Sequence, residues 1–324
     1  MYVETSTSLV GLRLKELSSF LAERGLTLEG EADHYVILRD DEGDIAATGC
    51  LEGHVIKYIA VAPSAEGTGA AATAISELKS IAWQEGLQHL FLYTKPENER
   101  MFQSLGFYNV ARTRDVLMME DAKNGIGSFI ASIPRREGAG TVGACVMNCN
   151  PFTKGHRYLV ETAAKACDVL YLFVVSEDAS AFPAQVRFDL VKRGTADIPN
   201  VIVAESRDYL ISRATFPTYF IKDRAALSQV QTDLDIAIFT QRIAPALGIT
   251  RRFVGTEPYC PVTRAYNERM KELLPKAGIE LIEIERKDGI SASKVRALMA
   301  AGDLAAIRAL VPDVTYEYIK DHIG

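Results

Sequence analysis

A hydroxyl, a glycine and an imidazole fall within four residues at Thr153-Lys154-Gly155-His156, directly after the loop Asn148-Cys149-Asn150-Pro151-Phe152. An apolar, β-branched run, Thr141 to Met147, precedes the loop, and Leu159, Val160, Ala163, Ala164 and Cys167 follow it at helical spacing. The segment reads as a turn from a buried strand into a helix. Open parallel sheets bind ligands at such turns, because the helix start offers unpaired backbone N–H groups to an anion. Thr153 and His156 can face the same way from that start, and Gly155 lets a ligand approach the backbone closely. Far along the chain, Gly289-Ile290-Ser291-Ala292-Ser293-Lys294-Val295-Arg296 reads as a turn and an N-cap that open a second helix. Lys294 and Arg296 stand in its first turn, where a cation opposes the helix dipole by ~0.3–1 kcal/mol unless an anion sits beside it. Two such helix starts suit a triphosphate attacked at its α-phosphorus, since the charge gained in that transition state must meet donors already in place. Lys154, Arg187 and Gly255-Thr256-Glu257 are further candidates for the same crevice.

These residues need a sheet to carry them. Val169 to Val175 completes a strand-helix-strand unit with Thr141 to Met147, and further apolar runs at Val201 to Ala204, Ile236 to Phe239, Arg252 to Val254 and Leu281 to Ile284 read as strands. Helical patterns lie between most of them, which predicts a mainly parallel sheet covered on both faces. Before it, Ile133-Pro134-Arg135-Arg136-Glu137-Gly138-Ala139-Gly140 reads as a linker. The first 130 or so residues have another pattern. Tyr35 to Leu38, Ile45 to Cys50 and His54 to Val61 are short strands joined by Asp/Gly-rich turns, followed by a helix at Ala70 to Glu85, a strand at His89 to Tyr93 and a helix at Glu97 to Leu105. The expected class is α/β throughout, with domains at 1–133 and 141–324.

With 324 residues, the chain is long enough for two domains that need no staples. Its 36 Lys+Arg against 42 Asp+Glu leave a net charge of −6 with no basic tail, which argues against a nucleic-acid partner. No apolar stretch approaches the ~20 residues of a membrane span, and Met1-Tyr2-Val3-Glu4-Thr5 begins no signal peptide. A cytoplasmic protein is expected. The five cysteines are scattered without a Cys-x-x-Cys pair, so neither a disulfide framework nor a metal site is expected. Cys149 lies in the key loop, where a small buried apolar residue is the commoner reading than a functional thiol.

Thr153-x-Gly155-His156 with Ile290-Ser291-x-Ser293-x-x-Arg296 resembles the paired signature of the nucleotidyltransferase superfamily related to class I aminoacyl-tRNA synthetases. Three longer strings are more specific: Met147 to Glu161, Gly194-Thr195-Ala196-Asp197-Ile198-Pro199-Asn200, and Asp208 to Phe220. They resemble the citrate (pro-3S)-lyase ligase family, and the likeness spans essentially the whole chain. The resemblance implies a Rossmann-like nucleotidyltransferase domain that uses ATP and Mg²⁺ to activate acetate as acetyl-adenylate. The acetyl group then passes to the prosthetic-group thiol of the citrate lyase acyl carrier subunit, releasing AMP and diphosphate. It implies His156, Thr153 and Lys294 as catalytic groups. Asn150, Pro151, Phe152, Gly155, Ser291, Ser293 and Arg296 would join them in holding ATP. Relatives often begin the signature with His where this chain has Thr153, which leaves one signature imidazole.

Val61 to Ala71 and Asn98 to Phe107 resemble segments of the Gcn5-related (GNAT) acetyltransferase fold, whose strand-to-helix loop cradles the diphosphate of coenzyme A. Glu66 stands where Arg or Gln is usual, and Phe102 where that family often has a proton-donating Tyr. The expectation is a domain that binds the coenzyme-A-like arm of the carrier through Gly67, Thr68 and Gly69, or the carrier subunit itself, without catalysing transfer; the other reading is a stabilising domain without a ligand. Two other readings of the whole chain stay open. One is a nucleotidyltransferase passing AMP or CMP to a phosphate-bearing acceptor, and the other is a non-catalytic ATP-sensing adaptor.

Overall fold

The computed structural model describes residues 1–138, 140–176, 180–210, 216–221, 226–258, 260–286 and 289–323. Ile211-Ser212-Arg213-Ala214-Thr215, within the third family-like string, lies outside the described residues. The chain divides into two compact units, Met1–Ser128 with Pro217–Leu234, and Phe129–Phe216 with Asp235–Gly324.

In the first unit seven strands form one sheet. They are β1 (Tyr2–Ser6), β2 (His34–Arg39), β3 (Ile45–Glu52), β4 (Val55–Val61), β5 (Phe91–Thr94), β6 (Tyr108–Arg112) and β7 (Leu117–Glu120), in spatial order β1-β2-β3-β4-β5-β7-β6. The helices are α1 (Gly11–Glu23), α2 (Ala70–Gln84), α3 (Glu99–Ser104) and α4 (Gly125–Ala131). On α2 the buried residues Ala70, Ala74, Ile75, Leu78 and Ala82 form one stripe at helical spacing, and that stripe covers β2 to β4. All neighbouring strands are antiparallel except β4 and β5. Those two pair in parallel only at Val55–Phe91 and Ile56–Leu92, and beyond that point a wedge opens between them. Tyr219 enters the wedge, its ring 4.4 Å from that of Tyr58 and its hydroxyl donating to the Tyr93 carbonyl at 3.3 Å. A cavity of about 260 Å³ remains, bordered by Ile59, Val61, Tyr93, Phe102 and Tyr219.

The second unit is built on five parallel strands, β8 (Val142–Met147), β9 (Val169–Val174), β10 (Val201–Glu205), β11 (Arg251–Gly255) and β12 (Glu280–Ile284), in order β10-β9-β8-β11-β12. All six residues of β9 are buried, as a strand covered on both faces requires. The chain steps outward from β8 to β10 and then returns to place β11 on the other side of β8. The strand order therefore reverses between β8 and β11, where a crevice opens at the carboxyl ends of the strands. The helices are α5 (Lys154–Lys165), α6 (Ala184–Gly194), α8 (Ala244–Leu247), α9 (Pro261–Leu273), α10 (Ala292–Ala300), α11 (Leu304–Leu310) and α12 (Asp313–Ile323), while α7 (Leu227–Ile238) belongs to the first unit through Leu234 and to this one from Asp235. Among the described residues, no helix is long and apolar enough to cross a membrane.

One expected strand is helical. Ile236 to Ile238 ends α7, and Phe239 opens a π-helical turn through Ile243. A short unbroken apolar run cannot distinguish a buried helix from a strand. Here the run extends the buried series Val230, Leu234, Ile238, spaced four apart.

Arg187 does not face the crevice. It is fully buried, and its Nε donates to the Phe182 carbonyl at 3.0 Å. Its Nη1 donates to the carbonyls of Asn148 (2.8 Å) and Val175 (2.6 Å) and to Asn148 Oδ1 (2.6 Å). The side chain thus ties the loop after β8 to the end of β9. Arg187→Met should destabilise the protein by at least ~3 kcal/mol, because it orphans several buried acceptors at once. Calorimetry should show a clear fall in Tm, and an unchanged Tm would refute this account.

Candidate active site

The helix start after β8 is held by a reciprocal cap. Thr153, the N-cap of α5, accepts a hydrogen bond from the His156 backbone N–H through its hydroxyl at 3.2 Å, while His156 Nδ1 accepts from the Thr153 N–H at 3.1 Å. A backbone N–H can only donate, so Nδ1 must offer its lone pair, and the neutral ring carries its proton on Nε2. The ring lies nearly parallel to that of Phe152, at 9° and 6.1 Å between centroids. Phe152 itself is fully buried in the core. Burial, helped by the nearby Arg286 guanidinium, pushes the His156 pKa down to about 4. At neutral pH the imidazole is therefore an uncharged donor with a fixed orientation.

The second helix start arrives from the other end of the unit. Ser291 caps α10 by accepting from the Lys294 N–H at 3.1 Å. Arg296 Nη1 donates to the Asn150 carbonyl at 2.5 Å, which joins this helix to the first loop. The two stretches also touch at Gly155, where a Cβ would lie 3.3 Å from Ile290 Cγ2 and 3.5 Å from the Ile290 carbonyl oxygen. The glycine therefore serves the approach of the second loop as much as that of a ligand. Together the stretches border one cavity of about 400 Å³, to which the first contributes Asn150, Thr153, Gly155 and His156 and the second Ile290, Ser291 and Arg296.

Some of the expected residues lie elsewhere. Pro151 and Phe152 are buried and border no part of this cavity. Ser293 is exposed, its hydroxyl 3.1 Å from that of Ser291, and the Lys294 ammonium donates to the Gly289 carbonyl at 3.3 Å outside the cavity wall. Lys154 turns away altogether and donates to the carbonyls of Arg308 and Ala309, capping the end of α11. Burial raises the Cys149 thiol far above its ordinary range, which makes it an inert core residue. Gly255 and Glu257 do reach the cavity. Glu257 pairs with Arg286 at 3.2 Å, and the Arg286 backbone N–H donates to the Thr256 hydroxyl.

Arg286 and Arg252 also line the cavity, although the sequence reading did not single them out. Arg286 stands two residues beyond β12, and a cation just past the end of a parallel strand is the signal that could have found it. Among the described residues no three potential metal ligands cluster together. In the first unit, Gly67 and Gly69 have φ of 75° and 87°, and Gly69 is the N-cap of α2. Among the described residues their amides donate to no partner. The Thr68 hydroxyl donates back to the Ala65 carbonyl at 2.7 Å.

Residues 142–319 match the family described as the citrate lyase ligase C-terminal domain, and residues 11–107 match the acetyltransferase (GNAT) family. Both matches agree with the α/β architecture expected from the sequence. The chain is 43% identical over 320 residues to the citrate (pro-3S)-lyase ligase of Escherichia coli K12, covering 95% of this chain and 91% of that protein. The protein of the same name from Klebsiella pneumoniae is 40% identical over 317 residues, covering 95% of this chain and 92% of its own length. The one from Haemophilus influenzae is 39% identical over 319 residues, covering 95% of each. The chain belongs to the citrate lyase ligase family.

The low His156 pKa has a definite consequence for pH dependence. The folded value lies below the ordinary 6.5, so the unfolded chain binds the proton first. Stability from this group is complete above that ordinary value and is lost as pH falls toward 4. Nitrogen-detected NMR of the ring should show a protonated Nε2 and an unprotonated Nδ1, with no titration above about pH 5. His156→Gln should flatten the loss of Tm on acidification, and a ring titrating near its ordinary value would contradict the assignment.

Proposed function

We propose that this member of the citrate lyase ligase family uses ATP to acetylate the prosthetic-group thiol of the citrate lyase acyl carrier subunit. An acetate oxygen attacks the α-phosphorus, the bond to the bridging oxygen breaks, and diphosphate leaves with the electron pair. The thiolate sulfur then attacks the acyl carbon of acetyl-adenylate, and AMP departs. The observation that carries this reading is the meeting of the two helix starts on one cavity, with a neutral imidazole N–H on one side and Arg296 on the other. Relatives that carry the ligase name favour it over transfer of AMP or CMP to a phosphate-bearing acceptor.

Each residue then has a distinct task. His156 Nε2–H donates to the α-phosphate oxygen on which charge builds up, and Thr153 holds the ring in that tautomer. Arg296, Ser291 and the free N–H groups of α10 receive the departing diphosphate. Lys294, on an exposed and flexible stem beside them, supplies a further cation. Mg²⁺ would enter on the triphosphate and spread its charge. The ion's ligands would then come mainly from the phosphates and water. Glu285, a carboxylate of the cavity wall, would accept hydrogen bonds from that ion's water. A cytoplasmic location suits the thiol acceptor, which must stay reduced.

The first unit holds the carrier's arm. Its diphosphate meets the Gly67–Gly69 amides and the start of α2, while the cavity beside β4 and β5 takes the apolar remainder. Exposed Glu66 weakens this site by ~1 kcal/mol, because a like charge stands near the diphosphate. Phe102 offers no proton, so the unit binds without transferring.

With ATP and Mg²⁺, the protein should exchange labelled diphosphate into ATP when acetate is added. His156→Ala should slow that exchange by ~10²-fold or more. Exchange that requires a phosphorylated acceptor instead of acetate would overturn the reading. Separately, dephospho-coenzyme A titrated into the full chain should bind saturably, and Gly69→Val should weaken it. Absence of saturable binding removes the assigned role of the first unit.

A further inference from the structure

A buried part of the cavity wall contains a charged side chain with hydrogen-bond donors left over. Arg252 is 4% exposed, yet its Nε and Nη1 are buried without a hydrogen-bond partner among the described residues. Around it the wall is formed by Val146, Phe253, Asn267 and Met270, of which the last three are almost completely buried. The guanidinium lies over the Phe239 ring, 4.5 Å from its centroid. Such stacking occupies the face of the cation and leaves its in-plane N–H groups free. Asp235, the acidic neighbour, accepts the Tyr266 hydroxyl and takes no hydrogen bond from Arg252 among the described residues.

An unpaired buried guanidinium is costly, and it persists where a ligand supplies the missing charge. We propose that Arg252 binds the carboxylate of the acyl substrate, so that the buried end of the cavity is a subsite for a small monocarboxylate. This rests on the acetate-activating reading and adds the residue that selects the acid. The charge match is one to one. A triphosphate carries far more charge than one buried cation can compensate, and it belongs at the helix starts near the strand ends. Arg252 lies three residues before Gly255, ~10 Å lower along β11, paired in register with Ala144 of β8. One carboxylate oxygen pairs with the guanidinium and the other remains free to attack. Val146, Phe253 and Met270 of the same wall offer apolar surface for the methyl group of a small acid.

The test is acetate-dependent diphosphate exchange by the full chain, with acetate varied at saturating ATP and ATP varied at saturating acetate. Arg252→Met should raise the acetate KM by ~30-fold or more, the loss expected for a charge-assisted hydrogen bond. The ATP KM should stay within ~3-fold, since the residue touches no phosphate. Arg252→Lys should fall between the two. Because the substitution removes an unpaired buried charge, Arg252→Met should melt no lower than the parent protein. An unchanged acetate KM, a parallel rise in both KM values, or a large fall in Tm would each overturn the proposal. A second readout separates it from the acetate reading itself. Line broadening of ¹³C-labelled acetate by the parent protein without ATP, absent with Arg252→Met and not displaced by acetamide, supports the subsite even if exchange fails. Equal broadening by both proteins overturns it.

Discussion

A hydrogen bond spanning 146 residues, from Arg296 Nη1 to the Asn150 carbonyl, unites the site. It joins two helix starts that each present the positive end of a dipole, and those ends repel when brought together. Burial of Val295 in the shared core, a close steric fit and a direct clasp hold them in place. Gly155 provides the fit by leaving no Cβ against Ile290, and Arg296 provides the clasp. The residual conflict between positive ends is what an anion relieves, so the same strain that costs stability in the free protein favours binding of a polyphosphate.

Charge is distributed sparingly around that clasp. The imidazole stays neutral because it is desolvated and faces Arg286, so it donates without first losing a proton. Glu257 balances Arg286, and Arg187 is spent on backbone carbonyls. Arg252 alone among these arginines has buried donors left over. A site that must stabilise charge only in the transition state gains from this arrangement, since fixed dipoles need no reorganisation when the reaction occurs.

The first unit shows the same economy in another form. Its Gly67–Gly69 loop keeps the backbone shape of an anion cradle, while Phe102 is packed in the core and offers no acid. Tyr219 occupies part of the wedge between β4 and β5, so a segment far along the chain completes this unit's core.

Several elements were legible without coordinates because their causes are local. β8, the turn into α5 and the Ser291 cap depend on residues no more than four apart, and an apolar run followed by a hydroxyl at a helix start has few other readings. Ile236–Phe239 was not legible, because four apolar residues fit a strand and a buried helix equally well and only packing decides. Lys154 was misleading for a similar reason: its place beside Thr153 and His156 suggested a phosphate contact, but α11 offered its stem unpaired carbonyls. From the sequence alone came the family, the two helix starts and the residue types that suit a nucleotide, since capping and hydrophobic periodicity act over one or two turns. Which cations meet in one cavity, which are consumed by the backbone and which remains unpaired were decided by the tertiary structure, because those contacts join residues separated by tens to hundreds of positions.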